Sequence, residues 1–109
     1  MPGFVEIIRM EYKIIISTAA ENDTKEAYLY YEQEQPALGE RFLTELTEFY
    51  LKLQQHPTYY SFVSVQKTIR AVSLKIFPFK IIFQIEGQEI YVFAIHHFRK
   101  LPNQFLKKF

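Results

Sequence analysis

Two strand-length apolar segments, separated by a three-residue turn, constrain the fold more than any other feature of this sequence. The segments are residues 79–85 and 89–95, and the turn between them reads Glu86, Gly87 and Gln88. Gly87 can adopt the positive φ that a tight hairpin turn requires. The second segment is apolar at almost every position, which is typical of a central strand with both faces covered. The sequence therefore predicts a β-hairpin at the centre of a sheet.

The residues before this hairpin predict a strand and two helices. Residues 12–16, YKIII, form a β-branched run that favours a strand. Thr18 and Glu21 have the spacing of a capping box and predict a helix start. Pro36 ends this helix, and a second helical pattern continues until just before Pro57. The apolar stripes contain Ala20, Ala27, Tyr28 and Tyr31 in the first helix and Phe42, Leu46, Phe49, Tyr50 and Leu53 in the second.

Residues 68–76 mix β-branched and polar residues and predict a further strand. The resulting order, β-α-α-β-β-β, predicts an α+β fold with a helical hairpin packed on one face of a small, mainly antiparallel sheet. The 109 residues have the length of one domain, residues 1–109, with residues 1–9 as an N-terminal extension and residues 103–109 as a C-terminal tail. The expected core consists of Ala27, Tyr31, Phe42, Leu46, Phe49, Leu53, Phe83, Val92 and Ala94.

Composition excludes several classes of protein. The chain has no cysteine, so it can form neither a disulfide framework nor a thiolate metal site. No apolar run approaches the roughly 18–20 residues that span a bilayer, and the first residues lack the pattern of a signal peptide. We therefore expect a cytoplasmic protein that binds no membrane. Neighbouring histidines on a strand diverge, so His96 and His97 are not expected to bind zinc, and no cofactor is expected.

The small net charge of +1 conceals an asymmetry along the chain. Residues 1–65 contain five cations and ten acids, whereas residues 66–109 contain eight cations and two acids, giving −5 and +6. This division indicates that the second half meets an anionic partner. The alternative is that the two halves neutralise each other across the fold. The sequence does not choose between these two interpretations.

An ordered set of short motifs resembles the RelE/ParE family of toxins from bacterial type II toxin–antitoxin systems. The set comprises YKIIIS, AYLYYEQEQPALGERFLTEL, Arg70, KIFPFKIIFQIEGQEIYVFAIHH, and an R-x-x-P ending with Arg99 and Pro102. It covers roughly residues 12–105. The resemblance implies neutralisation by a cognate antitoxin, in a heterotetramer or larger complex. RelE-like members cleave mRNA in the ribosomal A site without a metal, and ParE-like members poison DNA gyrase.

The resemblance also indicates residues for a nuclease site. Lys80 lies where many family nucleases carry an arginine, although a lysine lacks the bidentate fork that clamps phosphate. His97 could transfer protons near neutral pH, and its H-x-R spacing to Arg99 matches ParE-like members. Only one of His96 and His97 can face the cleft, since neighbours on a strand point to opposite faces. We expect His97 to join Lys80 there, and His96 to pack against the helices or at the sheet edge.

A basic face is predicted to bind an antitoxin or another anionic target. Its candidate residues are Arg70, Lys75, Lys80, Arg99 and Lys100. Arg70 has an alternative role as a bridge to an acid on the helices. Three functions stay open: a gyrase-directed toxin, a ribosome-dependent endoribonuclease, and a family member that binds its antitoxin without being toxic. The absent sheet arginine and the H-x-R ending favour the gyrase-directed toxin.

Overall fold

The computed structural model describes residues 11–98. The predicted extension, the predicted tail, Arg99 and Lys100 lie outside this range. The described elements follow the predicted β-α-α-β-β-β order, with a short 3-10 turn after the second helix. In chain order they are β1 (Lys13–Ile16), α1 (Thr18–Glu34), α2 (Leu38–Gln55), the 3-10 turn (Pro57–Tyr59), β2 (Ile69–Ser73), β3 (Phe79–Glu86) and β4 (Glu89–His97).

The four strands form one mixed sheet in the order β1-β4-β3-β2. β1 pairs with β4 in parallel, and the other two pairings are antiparallel. Gly87 forms the β3–β4 turn with a φ of 59°, as the sequence predicts. β4 is a central strand, which explains why it is apolar at nearly every position. The predicted α+β fold is confirmed.

The core lies between the two helices and one face of the sheet. α2 contributes most of the helical side of this core, and β3 and β4 contribute most of the sheet side. Aromatic rings meet at its centre, where Phe42 lies 5.1 Å from Phe79 and 5.5 Å from Phe77, measured between ring centroids. All the predicted core residues except Ala94 belong to this core or pack against it.

A β-bulge at Phe93 explains why Ala94, although buried, lies on the other face of the sheet from the predicted one. Phe83 pairs with Val92, but the next residue of β3, Ile82, pairs with Ala94. The extra residue of β4 reverses the alternation of its side chains. Ala94 therefore lies on the face away from the helices, and Ile95 takes its place in the core.

The first helix begins differently from the sequence prediction, and the second begins without a side-chain cap of its own. Ser17, rather than Thr18, caps α1, because its Oγ accepts the amide proton of Ala20 at 3.0 Å. α2 has no side-chain cap of its own, and Ala37 precedes it with a φ of 70°. Glu32 of α1 instead accepts the amide proton of Gly39 at 2.8 Å. This contact joins the two helices where they approach most closely.

Gly39 permits that approach because it has no side chain. A Cβ atom at this position would lie 2.8 Å from the carbonyl oxygen of Tyr28 and 2.7 Å from Cγ of Glu32. In the part of the chain that the structure describes, no helix has the length and apolarity needed to cross a membrane.

Candidate functional site

The bulge at Phe93 determines which side chains share each face of the sheet at the end of β4. His97 pairs with Phe79, and its ring packs edge-on against that ring at 4.9 Å. Phe79 belongs to the core, so His97 lies on the helix-covered face. His96 pairs with Lys80 on the opposite face. The sequence predicted His97 beside Lys80 and His96 against the helices or at the sheet edge. The placements of His97 beside Lys80 and of His96 against the helices are wrong, because the bulge exchanges the faces of the two histidines.

His96 and Lys80 differ in their access to solvent. His96 is only 4% exposed, whereas Lys80 is partly exposed and its Nζ lies 5.8 Å from the centroid of the Phe98 ring. An exposed ammonium group can attract an anion, but a buried imidazole cannot reach a substrate without movement of its surroundings. In the described part of the site, Lys80 is therefore accessible to a ligand, whereas the neighbouring His96 is not.

Lys75 lies in the turn between β2 and β3, not on a strand as predicted. β2 ends at Ser73, and the turn brings Lys75 next to a small open pocket of about 210 Å³. Ile76, Phe77, Pro78 and Phe98 complete the lining of this pocket. The amide of Phe98 donates to the carbonyl of Pro78 at 3.1 Å, which fixes the end of β4 beside the turn. Lys75 therefore lies in the turn that leads into β3, the strand that contains Lys80.

Glu45 of α2 holds this turn in place. Its carboxylate is 4% exposed and accepts the amide protons of Lys75, Ile76 and Phe77 at 2.9–3.1 Å. Successive amides that converge on one point form an anion-binding nest, and here the anion belongs to the protein. The glutamate therefore determines the backbone conformation that presents Lys75. The sequence analysis missed this role, because a single acid in a helical pattern is usually solvated.

Arg70 stabilises the segment that follows α2. Its guanidinium donates to the carbonyl oxygens of Tyr60 at 2.6 Å and Thr58 at 3.3 Å. The same group stacks over the Phe62 ring at 3.9 Å from its centroid. The predicted alternative, in which Arg70 bridges to an acid on the helices, is wrong. The guanidinium contacts backbone carbonyl oxygens instead. Binding of an anion by Arg70 would compete with these contacts.

The other end of the same sheet face is acidic. Tyr91 donates to Glu89 at 2.8 Å, and Gln84 donates to Glu86 at 3.3 Å. The hydrogen bond to Glu89 raises the pKa of the Tyr91 hydroxyl above its ordinary value, and burial adds to the effect. Tyr91 is thus a neutral donor near pH 7. The face away from the helices has Lys80 at one end and carboxylates at the other.

Three lysines in the second half of the chain have no ion-pair partner among the described residues. Within residues 11–98, Lys67, Lys75 and Lys80 have no carboxylate within 4 Å. Direct ion pairs among the described residues therefore do not neutralise these three lysines. Arg99 and Lys100, the remaining candidates for the basic face, lie outside the described residues.

A family model described as the ParE toxin of the type II toxin–antitoxin system parDE matches residues 14–102. The chain belongs to the ParE toxin family. The match spans both helices and all four strands except the first residue of β1, so it covers the site described above. It confirms the ParE-like side of the resemblance found in the sequence. No curated protein matches this chain.

Solved structures show the same fold for this ParE-family chain. One is the chromosomal ParDE toxin–antitoxin system from P. aeruginosa, with a TM-score of 0.71 and 21% identity over 81% of this chain and 97% of the other. Another is the toxin–antitoxin complex RelBE2 from Mycobacterium tuberculosis, with a TM-score of 0.55 and 14% identity over 80% of this chain and 98% of the other. At these identities the likeness concerns the fold alone.

Proposed function

We propose that this ParE-family protein is a growth-inhibiting toxin that acts on DNA gyrase in the cytoplasm and is neutralised by a cognate antitoxin. The separation of Lys80 from His97 carries the proposal. A metal-free nuclease needs a proton-transfer group and a phosphate-stabilising cation that reach the same phosphodiester. The two residues best suited by sequence lie on opposite faces of the sheet. An action through binding requires no such pair.

The antitoxin part of the proposal rests on charge and on the family. Lys75 is exposed and Lys80 partly so, and neither has a carboxylate partner within residues 11–98. Arg99 and Lys100 follow β4 in the sequence after one intervening residue, Phe98. We assign these four cations to an acidic segment of the antitoxin, with Arg70 as a support for the neighbouring loop rather than a contact. A complex formed this way attracts its partner over a distance and weakens as salt rises.

An alternative function, a RelE-like ribosome-dependent endoribonuclease, is favoured by one observation. His96 lies directly across from Lys80, so an imidazole and an ammonium share one face. This arrangement would need His96 to become accessible on the ribosome, because it is buried in the free protein.

Expression in the absence of antitoxin tests these functions in one experiment. We expect growth to stop, DNA covalently linked to gyrase to accumulate, and coding regions to remain uncut. His96→Ala and Lys80→Ala should leave the gyrase-linked breaks in place if both variants fold and bind. Lys67→Ala is a matched control, since Lys67 is an exposed lysine in a different turn.

The contrary outcomes are distinct. In-frame cuts in ribosome-bound mRNA that disappear in Lys80→Ala and His96→Ala would establish the endoribonuclease instead. Normal growth with tight antitoxin binding would identify a family member that binds its antitoxin without toxicity.

A further inference from the structure

The β-bulge at Phe93 is held by side chains from the start of α1. β1 ends at Ile16, which pairs with Val92. Beyond Val92, β4 is therefore no longer paired with β1. Ser17 continues the contact: its amide donates to the Val92 carbonyl, and its Oγ donates to the Phe93 carbonyl, both at 3.0 Å. Asp23, one and a half turns further along the helix, accepts the amide proton of Ile95 at 3.0 Å.

These contacts satisfy the backbone groups that a bulge exposes. A bulge removes one residue from the ladder and leaves its neighbours without regular partners. Here the carbonyl of Phe93 and the amide of Ile95 each receive a partner from α1. Because the side chains of Ser17 and Asp23 each bind a backbone group of the same bulge, specific contacts stabilise it.

The bulge has a specific consequence for the end of β4. If β4 continued without it from the Phe83–Val92 pair, Ile95 would face Lys80 and His96 would face Phe79. With the bulge, Ile95 enters the core and His96 faces Lys80. A shift of one residue therefore changes the face of every residue of β4 after the bulge, from Ala94 to His97.

We propose that Asp23 is a positioning residue that selects this register and thereby determines which side chains accompany Lys80 at the basic end of the sheet. The consequence for neutralisation rests on the proposed function, because that end is assigned there to antitoxin binding. The geometric part stands without it. Hydrophobic burial of Ile95 supports the same register, so Asp23 acts together with the core and is not its sole cause.

Nuclear magnetic resonance on Asp23→Ala, Asp23→Asn and the wild type tests the geometric part. In the wild type we expect nuclear Overhauser contacts between the rings of His97 and Phe79 and between His96 and Lys80. Asp23→Ala should weaken both contacts and speed hydrogen exchange of the Ile95 amide by about tenfold or more. Asp23→Asn should retain them, since its amide oxygen can accept the same hydrogen bond. Asn22→Ala, an exposed neighbour on α1, is the matched control.

Deletion of Phe93 provides a second test that does not depend on the tolerance of Asp23 to substitution. The deletion removes the bulge yet leaves Ala94, Ile95 and the histidines opposite their present partners. In that background Asp23→Ala should no longer alter the contacts of His96 and His97. Non-additivity of this kind would show that Asp23 acts through the bulge.

Contacts that are unchanged in Asp23→Ala would overturn the inference, as would an equal loss in the Phe93 deletion background. Affinity for the antitoxin is measured on the same variants and should fall in Asp23→Ala and recover in Asp23→Asn. If the wild type does not inhibit growth, the proposed function fails while the resonance contacts still decide the role of Asp23.

Discussion

Substitution of Glu45 by alanine should destabilise the protein more than any other change to a charged residue described here. The carboxylate accepts three consecutive amide protons from the β2–β3 turn. The Phe77 amide is buried and would lose its partner, at a cost of about 1–3 kcal/mol. Lys75 and Ile76 are exposed, so water can replace the carboxylate at their amides and the further loss is about 1 kcal/mol.

The expected total is about 2–4 kcal/mol, a large fraction of the roughly 5–15 kcal/mol that stabilises a domain. Urea denaturation followed by tyrosine fluorescence measures the difference at constant m value. Glu48→Ala is the matched control, because Glu48 is an exposed acid on the same helix, and it should cost less than about 0.5 kcal/mol. Glu45→Gln should be intermediate at best, since its amide nitrogen would face backbone donors.

The three amides that lose the carboxylate in Glu45→Ala allow a second measurement. Formate or acetate should raise the melting temperature of Glu45→Ala more than that of the wild type, because a small carboxylate can occupy the three amides. Chloride at equal ionic strength controls for screening. A loss below about 1 kcal/mol in Glu45→Ala would refute the reasoning, since it would mean that the turn keeps its amides satisfied without the carboxylate.

Four further changes have expected outcomes, three of which thermal or urea unfolding can check and one of which hydrogen exchange can check. Gly39→Ala should destabilise by about 1–3 kcal/mol despite the better helix propensity of alanine, because the new Cβ meets the Tyr28 carbonyl at 2.8 Å; a stabilised variant would contradict the close approach. Ala37→Gly should stabilise by about 0.5 kcal/mol, since φ is 70° there; no gain would mean that the left-handed conformation carries no strain. Leu46→Ala, in the core, should cost about 2–5 kcal/mol, and a loss below about 0.5 kcal/mol would contradict its burial. Arg70→Met should speed hydrogen exchange in the segment after α2, because two carbonyl contacts are lost; unchanged exchange would contradict the anchoring role.

Patterns of apolar residues were sufficient to predict the elements and their order. The helical stripes and the hairpin around Gly87 come from local periodicity, and the described structure confirms them. Periodicity could not reveal the parallel pairing of β1 with β4, because a pairing between distant strands leaves no local signal.

The site was harder to predict because it depends on one inserted residue. Counting alternate positions from Val92 places Ala94 in the core and assigns the wrong face to both histidines. Nothing about Phe93 itself indicates a bulge. The available signals were Ser17, whose hydroxyl also caps α1, and Asp23, a polar residue on the inner side of the helix. Glu45 escaped notice for a similar reason, since its partners lie some thirty residues away in the turn.

The central position of β4 has a consequence for how the protein is made. β1 and β3 have no contact with each other in the sheet order β1-β4-β3-β2, so β4 must be present before they become parts of one sheet. On a translating ribosome the helical hairpin can form early, because its contacts are local. The sheet cannot close until residues 89–97 have left the exit tunnel. A nascent chain therefore carries no assembled basic end before β4 has paired with its neighbours.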